Sequence, residues 1–259
     1  TDTVYVWPYP VFLTGSPTSN SPVCTPNPLQ LTAEANPANA TWSWSGPASF
    51  SSSSVDPVID PTDASMSGTY TVTVSNHGCN TSANTTATVH QTPSIASISG
   101  SNPTSCSCNC GSFTLTGLNA STAYTVNYHK NGLAATASSV TTDASGNLTV
   151  TGLSAALYDS IMVTLNACPS APASIMLPNP SAPATPIASS NSPLCQNSTL
   201  SFTASDATAG VSWTWNGPNS FSSSISSPSR SSVPLADSGT YSMTVTDGSG
   251  CKDTYSLPS

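Results

Sequence analysis

Two stretches of this chain repeat each other at a fixed offset, and that duplication limits the fold more than any other feature. Ser19-Asn20-Ser21-Pro22-Val23-Cys24 returns as Ser190-Asn191-Ser192-Pro193-Leu194-Cys195. Trp42-Ser43-Trp44-Ser45-Gly46-Pro47 returns as Trp213-Thr214-Trp215-Asn216-Gly217-Pro218, Phe50 as Phe221, and Ser67-Gly68-Thr69-Tyr70 as Ser238-Gly239-Thr240-Tyr241. The offset stays at 171 from the cysteine pair (195 − 24) to the tyrosine pair (241 − 70). Self-similarity at a constant offset marks two copies of one structural unit. The duplication divides the chain into a first repeat at 19–95, a different middle segment at 96–178 and a second repeat at 179–259. Residues 1–18 form a strand and linker belonging to a preceding or neighbouring domain.

Within these segments apolar residues alternate. Tyr70, Val72 and Val74 fall on one face of an extended run; so do Tyr241, Met243 and Val245, then Tyr124, Val126 and Tyr128, and Ile161, Val163 and Leu165. A period of two is that of a half-buried strand. No stretch carries a helical period of useful length, and 23 prolines argue against one. Asn131-Gly132 between alternating runs reads as a tight hairpin turn. The expected class is all-β.

Charge narrows function. Only 5% of residues are charged, against about 25% in ordinary soluble domains, and Ser, Thr, Asn and Ala fill the surface instead. Three basic residues, Lys130, Arg230 and Lys252, are too few to neutralise a run of phosphates or to hold an anionic membrane, so neither nucleic acid nor a membrane surface is an expected partner. No apolar run of about 18 residues is present for direct membrane insertion. Eight cysteines fit an oxidising, extracellular compartment. Thr1–Trp7 has no basic n-region of a signal peptide, so the chain reads as a mature or excised part of something exported.

Each repeat resembles an immunoglobulin-like sandwich: a Trp-bearing strand comes early, and Asp237-Ser238-Gly239-Thr240-Tyr241 matches the wording of a tyrosine corner. The cysteine usual two residues after that tyrosine is replaced by Val72 or Met243. In the middle segment, Leu115-Thr116-Gly117-Leu118 followed by Tyr124, echoed by Leu148–Leu153 and Tyr158, resembles fibronectin type III domains. The expected architecture is therefore tandem Ig-like and fibronectin III-like sandwiches in a linear array. The duplicated spacing suggests bridges Cys24–Cys79 and Cys195–Cys251 within the repeats. Closing a loop of about 55 residues is worth roughly 4 kcal/mol in the chain-entropy model. Register to the first apolar strand residues suggests Cys108–Cys168 in the middle segment, leaving Cys106–Cys110 as a local loop.

The Pro193–Leu200 segment, the Trp-x-Trp-x-Gly-Pro element and Ser-Gly-Thr-Tyr also resemble the Ig-like repeats of giant cell-surface adhesins of gliding Bacteroidota. That resemblance spans nearly the whole chain. It implies secretion, a cell-surface location, and a non-catalytic structural or adhesive role in a surface filament, including gliding motility. It implies as partners neighbouring copies or domains of the same protein, met end to end, and surface glycans. It offers no catalytic residue to transfer. The competing expectation is a carbohydrate-binding or accessory module of a secreted hydrolase.

Other candidate chemistry is sparse. Asp56, Asp60 and Asp63 fall in one loop and offer oxygen ligands to calcium, but without EF-hand spacing. The second repeat has Ser227 and Arg230 near those positions, so a solvated acidic loop is expected there. Cys106, Cys108 and Cys110 lack a fourth ligand at zinc spacing. His77, His90 and His129 are isolated from one another in sequence, and Lys130 beside the Asn131-Gly132 turn reads as exposed. No cofactor is expected. Trp42, Trp44, Trp213 and Trp215 share one strand face in each pair and read as core, not as a sugar platform. Thr3, Val4, Tyr5, Val6 and Trp7 read as a strand paired with a domain other than the two that follow it directly. The second repeat reads as short of a final strand, and the sequence leaves two versions open: a stump of a preceding domain, or strand exchange with another subunit.

Overall fold

The computed structural model describes residues 2–135 and 138–257. Among them there is no α-helix. Strands dominate, with two single-turn 3-10 segments at Ala64–Met66 and Leu235–Asp237. The chain divides into two compact units, Thr1–Ile95 with Ala123–Val126 and Met162–Ala171, and Ala96–Thr122 with Asn127–Ile161 and Pro172–Ser259.

In the first repeat, one sheet has the order Thr18–Ser19, Leu29–Thr32, Val58–Ile59. The other runs Cys79–Ala87, Gly68–Asn76, Thr41–Ser45, Ser51–Ser52. Val23–Cys24 adds a parallel pairing with Val89–His90. In immunoglobulin lettering this is A-B-E facing G-F-C-C′. The second repeat has the same order: Ile187–Ser190, Leu200–Ser205, Ser229–Arg230, then Phe221–Ser223, Ser212–Gly217, Ser242–Thr246, Lys252–Ser256. Two antiparallel sheets, each with one apolar face, bury those faces against each other. Tyr70, Val72 and Val74 are fully buried, and so are Met243 and Val245 with Tyr241 close behind. The alternation seen in sequence thus points inward as expected.

The middle segment pairs Ser97–Ser101, Gly111–Thr116 and Leu148–Leu153 in one sheet. A second sheet places Ala123–Lys130 beside Ala156–Leu165, with Ser138–Thr141 on the former and Ala173–Leu177 on the latter. Asn131 and Gly132 both take positive φ, 51° and 78°, as a two-residue hairpin of the primed type requires.

The repeated motif residues form one contact. Tyr70 donates its hydroxyl to Met66 O (2.8 Å) and Tyr241 to Asp237 O (2.9 Å). Tyr158 does the same to Ser154 O (2.9 Å), so the tyrosine corner of the middle segment is Tyr158, while Tyr124 lies in the core. Burial pushes the Tyr70 and Tyr241 hydroxyls up in pKa. Each repeat's ring lies flat on a glycine of the facing strand: a Cβ on Gly46 or Gly217 would sit 2.3 Å from the ring of Tyr70 or Tyr241. Gly68 and Gly239, at φ +146° and +147°, bring the chain against Pro47 and Pro218. The Trp-x-Trp-x-Gly-Pro and Ser-Gly-Thr-Tyr elements therefore recur together because they touch.

At one site the repeats differ. Ile59, buried, and Met66, packed on the core, are replaced 171 residues on by Arg230 and Asp237. Arg230 Nε lies 2.8 Å from Asp237 Oδ2, Asn219 Nδ2 donates to Asp237 Oδ1, and the Asp237 side chain is 2% exposed. Removing one partner of a buried pair strands the other charge, whereas an apolar pair of like volume avoids both desolvation costs.

Two predictions follow from this packing. Gly217→Ala should destabilise the second repeat by roughly 1–3 kcal/mol through overpacking, read as an earlier urea midpoint of its tryptophan fluorescence; an unchanged midpoint would show that the ring yields freely. Arg230→Ile alone should cost roughly 3–5 kcal/mol, while Arg230→Ile with Asp237→Met should be neutral or stabilising, measured on the same transition.

Candidate functional site

Several candidate residues have plain structural roles. Asp56 Oδ1 accepts from the Ala33 N–H (3.0 Å). Asp63 caps the Ala64–Met66 turn by accepting from Ser65 N and Oγ, and those bonds hold its carboxyl below the ordinary range. Asp60 is exposed. Among the described residues no group of three His, Cys, Asp or Glu could hold a metal ion, so Asp56, Asp60 and Asp63 do not converge. Trp44 and Trp215 are buried, and Trp42 and Trp213 pack against the two cores. His77 hydrogen-bonds Asn76 Oδ1, and His129 lies 3.3 Å from Asp159. Lys130 is exposed. No described helix is long and apolar enough to cross a membrane.

The cysteines depart from the expected pairing. The bridges are Cys24–Cys168, Cys106–Cys251 and Cys108–Cys110, with Cys79 and Cys195 free. Cys24–Cys79, Cys195–Cys251, Cys108–Cys168 and Cys106–Cys110 are all corrected. The reason is distance. Cys24 sits opposite His90, while Cys79 begins the Cys79–Ala87 strand eleven residues earlier. At roughly 3.3 Å per residue that is about 35 Å, against the roughly 7 Å ceiling on Cα separation for a disulfide. In the second repeat, Cys195 lies near Tyr241 at one end of the sheet, and Cys251 bonds Asp247 beyond the far end of Ser242–Thr246.

A pattern underlies the observed pairs. Cys24, Cys106 and Cys195 each lie between the A strand and the B strand of their segment, the A–B connection. Cys79, Cys168 and Cys251 each lie at the F–G turn. Both long-range bridges join the A–B cysteine of one segment to the F–G cysteine of the next, at sequence separations of 144 and 145. Cys79 and Cys195 are the F–G cysteine and the A–B cysteine that this stagger leaves over. The sequence signal was available in the equal strand placement of the six residues, but it is uninformative until the register shows that the two cysteines of a segment stand at opposite ends.

The expected strand over Thr3–Trp7 is not formed in the single chain. Asp2–Pro10 carries no strand, and Val4, Tyr5 and Val6 are 83%, 74% and 88% exposed. Trp7 stacks on His77 with ring centroids 3.7 Å apart, Pro8 O accepts from Asn76 Nδ2, and Pro10 O accepts from Thr81 Oγ1. The segment is thus tied to the repeat that it directly precedes. Pro8 and Pro10 have no N–H, so they anchor through carbonyls and cannot extend a ladder.

The two repeats also differ beside the leftover Cys195. In the first, Val89 (4% exposed) packs next to Val23 (9%). Val23 N donates to Thr88 O, Thr25 N to His90 O, and Val89 exchanges hydrogen bonds with Ser67 Oγ. At the offset of 171 the place of Val89 falls, in the second repeat, at position 260 (89 + 171), past the described residues, which end at 257. A groove of about 330 Å³ opens there, lined by Leu194, Cys195, Val233, Leu235, Gly239 and Tyr241 among others. Leu194, the counterpart of Val23, is 37% exposed. The N–H groups of Leu194 and Gln196 and the Ser238 hydroxyl, counterparts of the three donors above, have no partner among the described residues.

No protein-family model matches the chain, and no curated protein matches it. Solved structures similar to it include the I-band fragment I67–I69 of titin, 12% identical, covering 97% of this chain and 98% of that one at a TM-score of 0.42. The mouse nectin-like molecule 4 ectodomain, Ig1–Ig3, is 13% identical, covering 91% and 95% at 0.43. Likenesses this distant add nothing to the fold, which rests on strand order and the tyrosine corners.

Alkylation of the denatured, unreduced single chain should label Cys79 and Cys195 and leave the other six cysteines bridged; labelling of Cys24 or Cys251 would contradict the staggered pairing.

Proposed function

We propose that this chain is a non-catalytic structural and adhesive segment of a bacterial surface filament, working outside the cell and extended end to end by further molecules of itself. Its modules are the two Ig-like repeats, 19–95 and 179–259, and the fibronectin III-like segment, 96–178. The observation that carries this is the match between the open groove of the second repeat and the exposed segment Thr3–Trp7. Val89-His90-Gln91-Thr92-Pro93, which fills the groove of the first repeat and then leaves it, has the same Val-x-x-x-Pro form as Val4-Tyr5-Val6-Trp7-Pro8. Val4 of another molecule would take the place of Val89, satisfying the groove donors that have no partner among the described residues and covering apolar surface that two exposed valines otherwise leave in water. A head-to-tail contact of this sort repeats without closing, which suits a filament. The wording shared with gliding Bacteroidota adhesins supports adhesion at the cell surface, including gliding. A carbohydrate-binding or accessory role in a secreted hydrolase needs an exposed aromatic platform on the sandwiches, and the tryptophan pairs are packed into their cores.

Sedimentation tests this. The intact chain should form concentration-dependent, end-to-end assemblies; deleting residues 2–7, or replacing Val4 by Asp, should abolish them, and an added peptide of residues 1–7 should cap them and raise the melting temperature of the second repeat. Equal assembly of the deleted chain would overturn strand docking.

A further inference from the structure

We infer that Cys195 of one molecule and Cys79 of the next form a disulfide that locks each end-to-end junction covalently; this rests on the strand docking proposed above. Three observations converge on the pair. The first is the stagger: in both junctions contained within the chain, an A–B cysteine is bridged to the F–G cysteine of the following segment. Cys195 and Cys79 are the A–B and F–G members still unpaired, and both have accessible side chains, Cys195 exposed and Cys79 half-buried.

The second is the surroundings of the F–G cysteines. Pro180 O, in the segment that leads into the second repeat, lies 3.8 Å from Cys251 Sγ and 3.9 Å from its partner Cys106 Sγ. Trp7 O, in the segment that leads into the first repeat, lies 3.6 Å from Cys79 Sγ. The entering chain therefore passes Cys79 as it passes the bridged Cys251.

The third is the spacing from the buried apolar residue to the bridge. Thr92, three residues after Val89, bonds through both its N–H and its hydroxyl to Thr25, the neighbour of bridged Cys24. Pro180 comes three residues after buried Leu177 and touches the Cys106–Cys251 sulfurs. Trp7 comes three residues after Val4 and touches Cys79. Seating Val4 in the groove beside Cys195 thus delivers the Cys79 of the incoming molecule to that same groove edge.

The chemistry is a two-electron oxidation. Two S–H bonds break and one S–S bond forms. The two protons and two electrons pass to an external disulfide oxidant, oxidised glutathione in the test below, which leaves as two thiols. Docking brings two thiols of separate molecules together and makes the second step effectively intramolecular.

The test mixes ordinary and nitrogen-15-labelled chains, lets them assemble with oxidised glutathione, and reads both sedimentation and non-reducing gels. A covalent ladder is expected, dispersed by reductant, with isotopically mixed Cys195–Cys79 peptides in its proteolytic fragments. Cys195→Ser and Cys79→Ser should each remove the ladder while non-covalent assembly persists. Assemblies with both thiols still alkylatable, or with Cys195–Cys195 and Cys79–Cys79 peptides predominating, would overturn the disulfide and leave strand docking standing. Failure of the unmutated chain to assemble would overturn docking and the disulfide with it.

Discussion

A disulfide spans less than about 7 Å between Cα atoms, and each Ig-like repeat of this chain holds its two cysteines at opposite ends of its sheets. Everything distinctive about the molecule follows from that separation. Cys24 cannot reach the F–G turn of its own repeat, and both Cys24 and Cys106 are bridged to the F–G cysteine of the segment that follows. The bridges therefore fasten consecutive segments to each other. They do not staple a sandwich across its core, where Val72 and Met243 stand in the place an immunoglobulin cysteine would hold.

The sandwiches themselves are held by packing. The Tyr70 and Tyr241 rings lie on bare glycine backbone, each hydroxyl returns a hydrogen bond to the chain four residues earlier, and the alternating faces bury aromatic and branched side chains. With so few charges, the surface is solvated by hydroxyls and amides, and cross-strand pairs such as Thr73 with Ser82 and Thr244 with Thr254 bond side chain to side chain. Such a surface offers little electrostatic steering, so recognition falls to shape and backbone pairing. The proposed docking of the amino-terminal valines beside Leu194 relies on both.

Much of the fold was legible in the sequence because its signals are local. The period-two runs around Tyr70, Tyr124, Ile161 and Tyr241, the Asn131-Gly132 hairpin and the core placement of Trp44 and Trp215 depend on neighbours two residues away. The cysteine pairing was not legible, because spacing along the chain carries no information about which end of a sandwich a residue occupies. Register supplies that: Cys24 opposite His90 and Cys79 opposite Asn76. The segment Thr3–Trp7 is only partly legible, for a related reason. Its alternation is that of a strand, but within the single chain residues 2–10 carry none, and the Pro8 and Pro10 carbonyls accept from Asn76 and Thr81 of the first repeat.

The central claim is that Val4 of one molecule replaces Val89 in the second repeat of another, and a cryo-electron microscopy structure of the assembled protein tests it most directly. Density is expected for residues 3–7 of one molecule running parallel to Leu194–Cys195 of its neighbour, with Val4 between Leu194 and Gly239 and the neighbour's Cys195 beside Cys79. Junctions formed through any other face, with that groove open to solvent and residues 3–7 elsewhere, would contradict it.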